Sequence, residues 1–450
     1  GYSEEADFVN PITGEEASAV PGYEEGNYDF EARNDTEFWG VGLTANWELP
    51  NGLLLTSITA YDDVDDARPE ETDASPGNVL TGVLGVEQKT FSQELRLTQQ
   101  HERWTWLLGA YYLDDEADDK TSFDLLPLLR PSFTGVDDPA VCGPLVPEGN
   151  PTGFCPPESV FEQQSATEQR IESFSVYGDT TIDLNPEWAV SLGLRYTDES
   201  VDHDALFFYD EPQAGNPVIA SSEDKTEFDK ISGRIVVDWK PSEAHLVYGS
   251  ISTGFKAGGI QSTTDGSFPY DEEQLVSYET GFKLDLLDGR ARLNGAVFYY
   301  DYQDLQVFQF VNIGDPPTPV SLLTNASDAT IYGGELEAQL RPMEHFTLNL
   351  GLGLLDTEYE DFVDALGNDF SGNEVTMAPD VTFNGLARYD LPIPSGTVSF
   401  QVDWVYQDEV FFDSLNNPLL SEDGYWLFNG RVAWTSPNEQ YTLTANYVGE

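Results

Sequence analysis

Carboxylate side chains are concentrated in two short stretches of the sequence, DDVDDARPEETD at 62–73 and DDEADD at 114–119. Ca²⁺ prefers several hard oxygen ligands, so either stretch has the residue types to bind this ion. Neither has the EF-hand spacing, in which acidic or amide residues alternate before a glycine. The spacing therefore favours a solvated acidic surface over a calcium site, and we expect no metal ligands.

Histidine, another common metal ligand, occurs at four widely separated positions: His101, His203, His245 and His345. Three of them fall in short turns, so a shared metal site is not expected. The sequence has no G-x-S-x-G, H-E-x-x-H or G-x-x-x-x-G-K-[ST] motif. GFKAGG, at 254–259, has the glycines of a phosphate loop but precedes a loop rather than a helix. We expect neither enzymatic activity nor a resident cofactor.

The two cysteines, Cys142 and Cys155, lie in one stretch rich in proline and glycine, VCGPLVPEGNPTGFCPP. Because turn residues surround both, the pattern favours a disulfide within a surface loop, in an oxidising compartment, over two unrelated thiols. Closing so short a loop stabilises a protein by roughly 3 kcal/mol on the chain-entropy model. No signal peptide precedes GYSEEADFVN, so we expect the chain to begin inside a longer sequence.

Charge and hydropathy exclude several classes of protein. The 450 residues include 20 Lys and Arg against 81 Asp and Glu, a formal net charge of −61 at pH 7. This excess of negative charge argues strongly against binding to nucleic acid. No run of about 18 apolar residues occurs, so a transmembrane helix is not expected. Aromatic residues make up 13%, which together with regular alternation contradicts disorder.

The elements that must position any site alternate with the period of a β-strand. The segment FTLNLGLGLL, at 346–355, has Leu348, Leu350 and Leu352 on one face and Asn349, Gly351 and Gly353 on the other. The same pattern recurs in WGVGLTANW, WTWLLGAYY, WAVSLGLRY and VSFQVDWVY. Each segment runs about 9–12 residues and often begins or ends in Trp or Tyr, which is typical of strands that cross a bilayer.

Short and long connections alternate along the chain. Eight short turns are predicted at 48–52, 99–103, 184–188, 240–244, 286–290, 341–345, 391–396 and 435–439. Longer, acidic connections are predicted at 62–86, 117–168, 199–225, 257–275, 305–328, 359–378 and 409–423. Short turns at one rim and long loops at the other are typical of an outer-membrane barrel. The sequence thus predicts an all-β, antiparallel transmembrane β-barrel with about 16 strands, the leucines facing lipid and the small polar residues facing the lumen.

Four motifs in a fixed order resemble the barrel of TonB-dependent outer-membrane receptors: STGFKAGG, SYETGFK, FYYDYQDLQ and YGGELE. The resemblance extends from about residue 36 to the end. It implies a 22-stranded barrel plugged by an N-terminal domain. Residues 1–450 would then form a partial barrel domain, about 16 strands of the implied 22, with the plug, the first strands and the last strands outside this sequence.

The resemblance also implies a function and partners. It implies uptake of a scarce nutrient, most often a ferric siderophore, energised through TonB, which would contact the missing plug region. Outer-membrane lipid and lipopolysaccharide would surround the barrel, and a small nutrient ligand would bind in it. The alternatives are a passive porin, a receptor for an oligosaccharide or cobalamin, and a soluble adhesive β-protein whose Trp bands are covered by partners.

Candidate ligand contacts lie where the strands meet the long loops. Aromatic and polar side chains there suit a chelate or a sugar, although ordinary packing at the rim explains any one of them equally well. The candidates are Phe255, Lys256, Gln261, Tyr300, Tyr302, Phe308 and Phe310.

Overall fold

A computed structural model describes residues 8–9, 16–17, 34–71, 80–125, 162–209, 218–313, 317–364 and 367–449. Cys142 and Cys155 lie outside the described residues, so their disulfide stays a prediction. Helical structure among the described residues consists of the 3-10 turn Pro50–Gly52. No helix in this part of the chain is long and apolar enough to cross a membrane.

The described residues form twenty-two strands, which we number in chain order. They are β1 (Phe8–Val9), β2 (Glu16–Ala17), β3 (Asp35–Leu49), β4 (Leu53–Glu71), β5 (Leu80–Gln100), β6 (Trp104–Leu125), β7 (Glu162–Asp183), β8 (Trp188–Tyr209), β9 (Val218–Ser242), β10 (His245–Lys256), β11 (Gly259–Thr263), β12 (Gly266–Tyr270), β13 (Glu273–Leu286), β14 (Ala291–Ile313), β15 (Thr318–Leu340), β16 (Phe346–Tyr359), β17 (Val381–Ile393), β18 (Gly396–Gln407), β19 (Val410–Phe411), β20 (Ser421–Glu422), β21 (Tyr425–Thr435) and β22 (Thr442–Gly449).

Sixteen of these strands form one antiparallel sheet, as the sequence predicts. Its order is β22-β21-β18-β17-β16-β15-β14-β13-β10-β9-β8-β7-β6-β5-β4-β3. Each strand therefore pairs with the sheet strands that precede and follow it in the chain, and β3 and β22 are the two edges. The pairs β11–β12 and β19–β20 are inserted between strands of the sheet, and the pair β1–β2 precedes it. This up-and-down arrangement needs only local hairpins, because every connection joins neighbours.

All eight predicted short turns join neighbouring strands of the sheet. The ELPNG turn between β3 and β4 is an example, since Asn51 and Gly52 adopt the positive φ angles, 66° and 72°, that such residues tolerate. In the turn between β17 and β18, Gly396 has a φ of 134°, and a Cβ there would approach the Thr435 carbonyl oxygen to 2.0 Å. Turn chemistry in the sequence therefore predicts this end of the sheet correctly. We call it the short-turn end, and the other the long-loop end.

The register gives the sheet one apolar face and one polar face. Leu352 pairs with Leu336 on one side and with Phe383 on the other, whereas Gly351 pairs with Glu337 and Asn384. Because paired residues of neighbouring strands point to the same face, this division extends from strand to strand. We call the face of Leu348, Leu350 and Leu352 the outer face, and that of Asn349, Gly351 and Gly353 the inner face.

The prediction of long loops is wrong in one respect. Residues predicted to lie in long loops instead extend the strands on either side. This holds at both ends of the connections predicted at 62–86, 117–168, 199–225 and 305–328, so β4 to β9, β14 and β15 are 19–25 residues long. Toward the long-loop end polar side chains occupy both faces of these strands, so the apolar alternation ends although backbone pairing continues. Cross-strand ion pairs replace it, such as Arg170 with Asp114 at 2.8 Å and Lys120 with Glu87 at 3.0 Å.

The extension of the strands places most of the two acidic stretches, 62–73 and 114–119, in strands rather than in loops. Residues 62–71 belong to β4 and residues 114–119 belong to β6. In a strand, successive side chains point to opposite faces, so these carboxylates are spread along two faces rather than gathered in a loop. Among the described residues, no group of three or more His, Cys, Asp or Glu side chains is arranged to hold a metal ion.

Candidate functional site

A β-hairpin lies against the inner face near the long-loop end of the sheet. It consists of β11 and β12, which are joined by five residue pairs from Gly259 with Tyr270 to Thr263 with Gly266. The hairpin contacts β8, β9 and β15. These strands flank β10, β13 and β14 in the sheet, so the hairpin crosses the strands between them. We call Gly259–Tyr270 the inner hairpin.

One end of the inner hairpin is held by hydroxyl groups around His203 of β8. The Nε2 atom of His203 lies 2.8 Å from Ser262 Oγ in the hairpin. Ser262 Oγ also lies 3.2 Å from Ser222 Oγ of β9 and 3.1 Å from Ser267 Oγ in the hairpin itself. Three elements thus share one small hydrogen-bonded cluster, which positions the hairpin over β8 and β9.

His203 is an unusual residue for such a position. Its side chain is 5% exposed, and its Nδ1 atom has no hydrogen-bond partner. Burial lowers the pKa of His203, an effect that the carboxylates of Asp204, Asp224 and Asp119 oppose but do not cancel. The cluster therefore favours neutral imidazole while the hairpin is docked.

The other end of the inner hairpin is held by amide side chains from β14 and β15. Gln306 Nε2 donates hydrogen bonds to the carbonyls of Ala257 and Asp271, at 2.8 and 3.1 Å, on both sides of the hairpin. Asn325 accepts a bond from the Asp271 N–H at 2.7 Å and returns one to the Asp271 carbonyl at 2.8 Å. Gln261 Oε1 accepts a bond from the β15 backbone at 2.9 Å. The hairpin is thus fastened at two places.

An aromatic cluster supports the strands beside this second attachment. Val307, Ala329, Tyr359 and Phe362 are buried together, and Tyr302 packs against them. The ring centroids of Tyr359 and Phe362 lie 5.2 Å apart. Packing of this kind stabilises the long-loop end around β14, β15 and β16.

Below the inner hairpin, one row of the inner face is rich in hydrogen-bond donors. Arg234 pairs with Ser252, Ser252 with Ser277, and Ser277 with Tyr300. Neighbouring strands are about 4.8 Å apart, so this row spans about 14 Å across β9, β10, β13 and β14. Guanidinium and hydroxyl groups donate to oxygen-rich ligands. We call these four residues the inner row.

Partner residues and ring stacking orient the two ends of the inner row. Arg234 donates to Asp179 Oδ2 from Nε at 3.0 Å and from Nη2 at 2.8 Å, which holds the guanidinium beside a carboxylate. At the other end, the Tyr300 ring stacks on Phe298 with centroids 4.7 Å apart. The row therefore combines a partly neutralised cation, two hydroxyls and an aromatic surface.

An ion pair fastens the chain where the inner hairpin leads into β13. Lys230 Nζ of β9 lies 2.5 Å from Glu272 Oε1. Burial raises the pKa of Glu272. The hydrogen bond and the charge of Lys230 lower it by more, so the pKa of Glu272 lies below its ordinary value. Glu272 is therefore ionised at neutral pH.

The structure divides the candidate contacts chosen from the sequence. Lys256, Tyr300 and Tyr302 lie on the inner face, in register with Glu273, Ser277 and Leu275, respectively. Gln261 lies in the inner hairpin, where its Oε1 already accepts a backbone hydrogen bond.

The other three candidates lie elsewhere. Phe255 shares the outer face with Ile251, four residues before it. Phe308 and Phe310 are 63% and 61% exposed, on the strand face opposite to the buried Val307. The structure therefore brings only Lys256, Tyr300, Tyr302 and Gln261 toward one region.

Sequence reasoning missed Arg234, Ser252, Ser277, Lys230 and His203 as site residues. The first three are visible in the sequence as polar positions in ISGRIVVDW, STGFKAGG and SYETGFK. Their alternation predicts the inner face, but only the strand register brings them into one row. His203 lay in a predicted loop, so nothing in its neighbours indicated burial.

A model of the TonB dependent receptor-like β-barrel family matches residues 3–448. The chain belongs to this family. It is an outer-membrane protein with a β-barrel fold. In outer-membrane barrels short turns face the periplasm and long loops face the exterior, so the inner hairpin and the aromatic cluster lie toward the extracellular side of this receptor barrel.

Similarity to individual proteins supports the same family. The pesticin receptor of Yersinia pestis is 20% identical over 403 residues, which cover 84% of this chain and 55% of that protein. The structure of the ferric yersiniabactin uptake receptor FyuA from Yersinia pestis superposes with a TM-score of 0.70 at 16% identity, covering 93% of this chain and 56% of that one. The siderophore receptor PiuA from Acinetobacter baumannii gives a TM-score of 0.63 at 18% identity, covering 92% and 60%.

At these identities the solved structures show the fold alone. This chain spans a little over half the length of the relatives it matches.

Proposed function

We propose that this receptor barrel takes up a ferric siderophore across the outer membrane, energised through TonB by a plug region outside the 450 residues. The observation that carries the proposal is the inner row beneath the fastened inner hairpin. A siderophore holds iron through several oxygen atoms, and the guanidinium and hydroxyl donors of Arg234, Ser252, Ser277 and Tyr300 suit such a ligand. Of the proteins that share the fold, FyuA is named as a ferric yersiniabactin uptake receptor and PiuA as a siderophore receptor.

The inner hairpin also supports active uptake over a passive channel. A porin conducts through a water-filled lumen. Here a hairpin attached at both ends crosses the inner face of β10, β13 and β14. Such an element narrows the path and suits a receptor that holds its ligand before releasing it.

An oligosaccharide is the second candidate ligand. The stacked rings of Phe298 and Tyr300 favour it, because sugars pack their apolar faces on aromatic rings. The −61 net charge repels an anionic chelate more than it affects a neutral sugar.

Uptake by cells carrying the complete gene tests these proposals. Radiolabelled ferric siderophores and labelled oligosaccharides are supplied to cells with and without TonB. We expect TonB-dependent uptake of a ferric siderophore, which the double substitution Ser252→Leu and Ser277→Leu abolishes. Ser92→Leu, which also adds a leucine to the inner face but lies on β5, is the matched control and retains uptake.

Three outcomes contradict the proposal in different ways. Uptake that is undiminished without TonB supports the passive porin. TonB-dependent uptake of the oligosaccharide alone supports the second candidate. Equal loss in the Ser92→Leu control means that any added bulk in the lumen blocks transport, and the inner row is then not the ligand site.

A further inference from the structure

At its periplasmic end the outer face carries a row of four side chains, three of which are aromatic. Trp188 of β8 and Trp239 of β9 pair in the sheet, and their ring centroids lie 5.9 Å apart. Trp239 pairs in turn with Val247 of β10, which pairs with Phe282 of β13. Aromatic rows of this kind mark the boundary between the lipid head groups and the hydrocarbon. We call these four residues the periplasmic girdle.

The next row of the outer face, one step toward the exterior, has a gap in its centre. It runs from Val237 through Gly249 and Thr280 to Val297. Two small residues on neighbouring strands thus lie between two valines. Large side chains follow in the row above, where Ile251 pairs with Tyr278 and Tyr278 with Tyr299.

The two small residues leave a groove of about 570 Å³ in the outer face. Its lining includes Val237, Ile251, Tyr278, Val297 and Tyr299, all of which are exposed. The volume lies in the range of pockets that hold small molecules. The groove is therefore apolar, large enough for part of a ligand, and open to the surroundings of the barrel.

The backbone does not require a glycine at position 249. Gly249 lies within β10, outside the set of residues with positive φ. A Cβ built on it would meet only the Glu279 carbonyl oxygen, at 3.9 Å, which is ordinary van der Waals contact. A larger side chain at this position would therefore extend into the open space of the groove, and the absence of a side chain at Gly249 keeps the groove open.

The position of the groove decides what fills it. The groove continues the outer face, which is the surface that contacts membrane lipid in this family of barrels. Gly249 follows Val247 of the periplasmic girdle by two residues, which is about 7 Å along the strand. The groove therefore lies just inside the periplasmic girdle, in the leaflet built from phospholipid.

We propose that this groove is a binding site for one acyl chain of a periplasmic-leaflet phospholipid. The chain lies over Gly249 and Thr280, between Val237 and Val297, with its head group near the periplasmic girdle. Burial of the chain against these side chains removes no hydrogen bond, and the space left by the two small residues lets the chain contact the side chains on both sides of the groove. The barrel thus holds one lipid more tightly than its neighbours.

Native mass spectrometry of the complete receptor tests this proposal. The receptor is purified in detergent, titrated with phosphatidylethanolamine and, separately, with lipopolysaccharide, and its bound lipid is counted. We expect one retained phosphatidylethanolamine, and at least about tenfold weaker retention in Gly249→Leu, whose side chain fills the groove. Gly430→Leu is the matched control, because Gly430 also lies on the outer face and its Cβ would meet only Tyr447 Cβ at 3.9 Å.

Each other result overturns the proposal. Equal retention in the wild type and both variants means that the groove binds no lipid specifically. Retention of lipopolysaccharide alone places the groove in the outer leaflet. A receptor dimer that Gly249→Leu dissociates shows that a second copy of the chain, rather than an acyl chain, covers the groove.

Discussion

In the wall of this barrel, large apolar side chains on the outer face stay exposed in the protein itself, with Leu194, Ile231 and Val297 at 62%, 67% and 57%. At the extracellular end, Tyr359 and Phe362 are 1% and 0% exposed. Lipid covers the first set, so the wall needs no core of its own, whereas the second set must bury itself because water surrounds it. One chain thus uses two solvents, and a residue's contribution to stability depends on which solvent it meets.

The largest loss of stability is expected from a substitution in the aromatic cluster. Phe362→Ala removes a fully buried ring from contact with Tyr359 and Phe370, and such substitutions cost roughly 3–5 kcal/mol. Amide exchange of residues 357–373 should accelerate accordingly. Leu354→Ala, at an outer-face position that is 49% exposed, is the control and should leave that segment protected. Equal exchange in both variants would contradict the difference between the two regions.

The second-largest loss of stability tests which face of the wall meets lipid. Leu350→Arg introduces a charge on the outer face and should cost roughly 2–4 kcal/mol near the bilayer midplane. Asn349→Arg, one residue away on the inner face, should cost little, because its side chain points into the lumen. Folding of the two variants into detergent micelles, followed over a urea titration, measures both. Similar losses would show that the two faces meet the same environment.

The inner hairpin is expected to respond to pH through His203. The docked hairpin lowers the pKa of His203 by burial, and lifting the hairpin lets that pKa return to about 6.5. Protonation therefore favours the lifted state, so docking is strongest above about pH 6.5 and weakens as the pH falls below it. The carboxylates of Asp119, Asp204 and Asp224 face the imidazole and oppose the effect of burial on its pKa.

Amide exchange of residues 259–270, corrected for the intrinsic effect of pH, should rise between pH 7.5 and 5.5. His203→Gln keeps a neutral hydrogen-bonding side chain and should remove the pH dependence. Unchanged protection in the wild type over this range would rule out His203 as the controlling group. The aromatic cluster serves as an internal reference, because its buried groups are apolar rings and a phenol.

The smallest expected effect is a change in ligand uptake when Lys256, an exposed charge on the inner face, is replaced. Lys256→Ala should weaken uptake of an anionic ferric chelate by about 1.4-fold to fivefold at low salt, which corresponds to the roughly 0.2–1 kcal/mol of an exposed ion pair. Salt or Ca²⁺ should reduce the difference, since either screens the acidic surface. Lys256→Arg keeps the charge and is the control. A neutral ligand whose uptake also depends on Lys256 would argue for a packing role instead.

Alternation and turn chemistry are local properties, and they predicted the wall. The period of two in FTLNLGLGLL assigns Leu350 and Asn349 to opposite faces whatever the rest of the chain does. The short turns, such as ELPNG, identify which strands are neighbours. Both predictions hold because each strand pairs only with its sequence neighbours, so no long-range information is needed.

The strand ends and the interior of the barrel depend on tertiary pairing. Tyr300, Tyr302, Phe308 and Phe310 all have even numbers, so alternation alone places them on one face. Irregular pairing near Leu305, with Asp304 at a φ of 55°, shifts the pattern, and the buried Val307 takes the side of Tyr302. Phe308 and Phe310 consequently point away from the aromatic cluster.

Residue types, turns and faces followed from the sequence, because each depends on a few adjacent residues. The extension of the strands beyond the bilayer, the inner row of Arg234, Ser252, Ser277 and Tyr300, and the contact of His203 with Ser262 across 59 residues were decided by the tertiary structure. Register sets which residues of neighbouring strands lie opposite each other, and folding of the inner hairpin onto the sheet sets what covers them. No short stretch of the sequence predicts the register or the position of the inner hairpin, because each strand could pair with its neighbour in several registers that look alike locally.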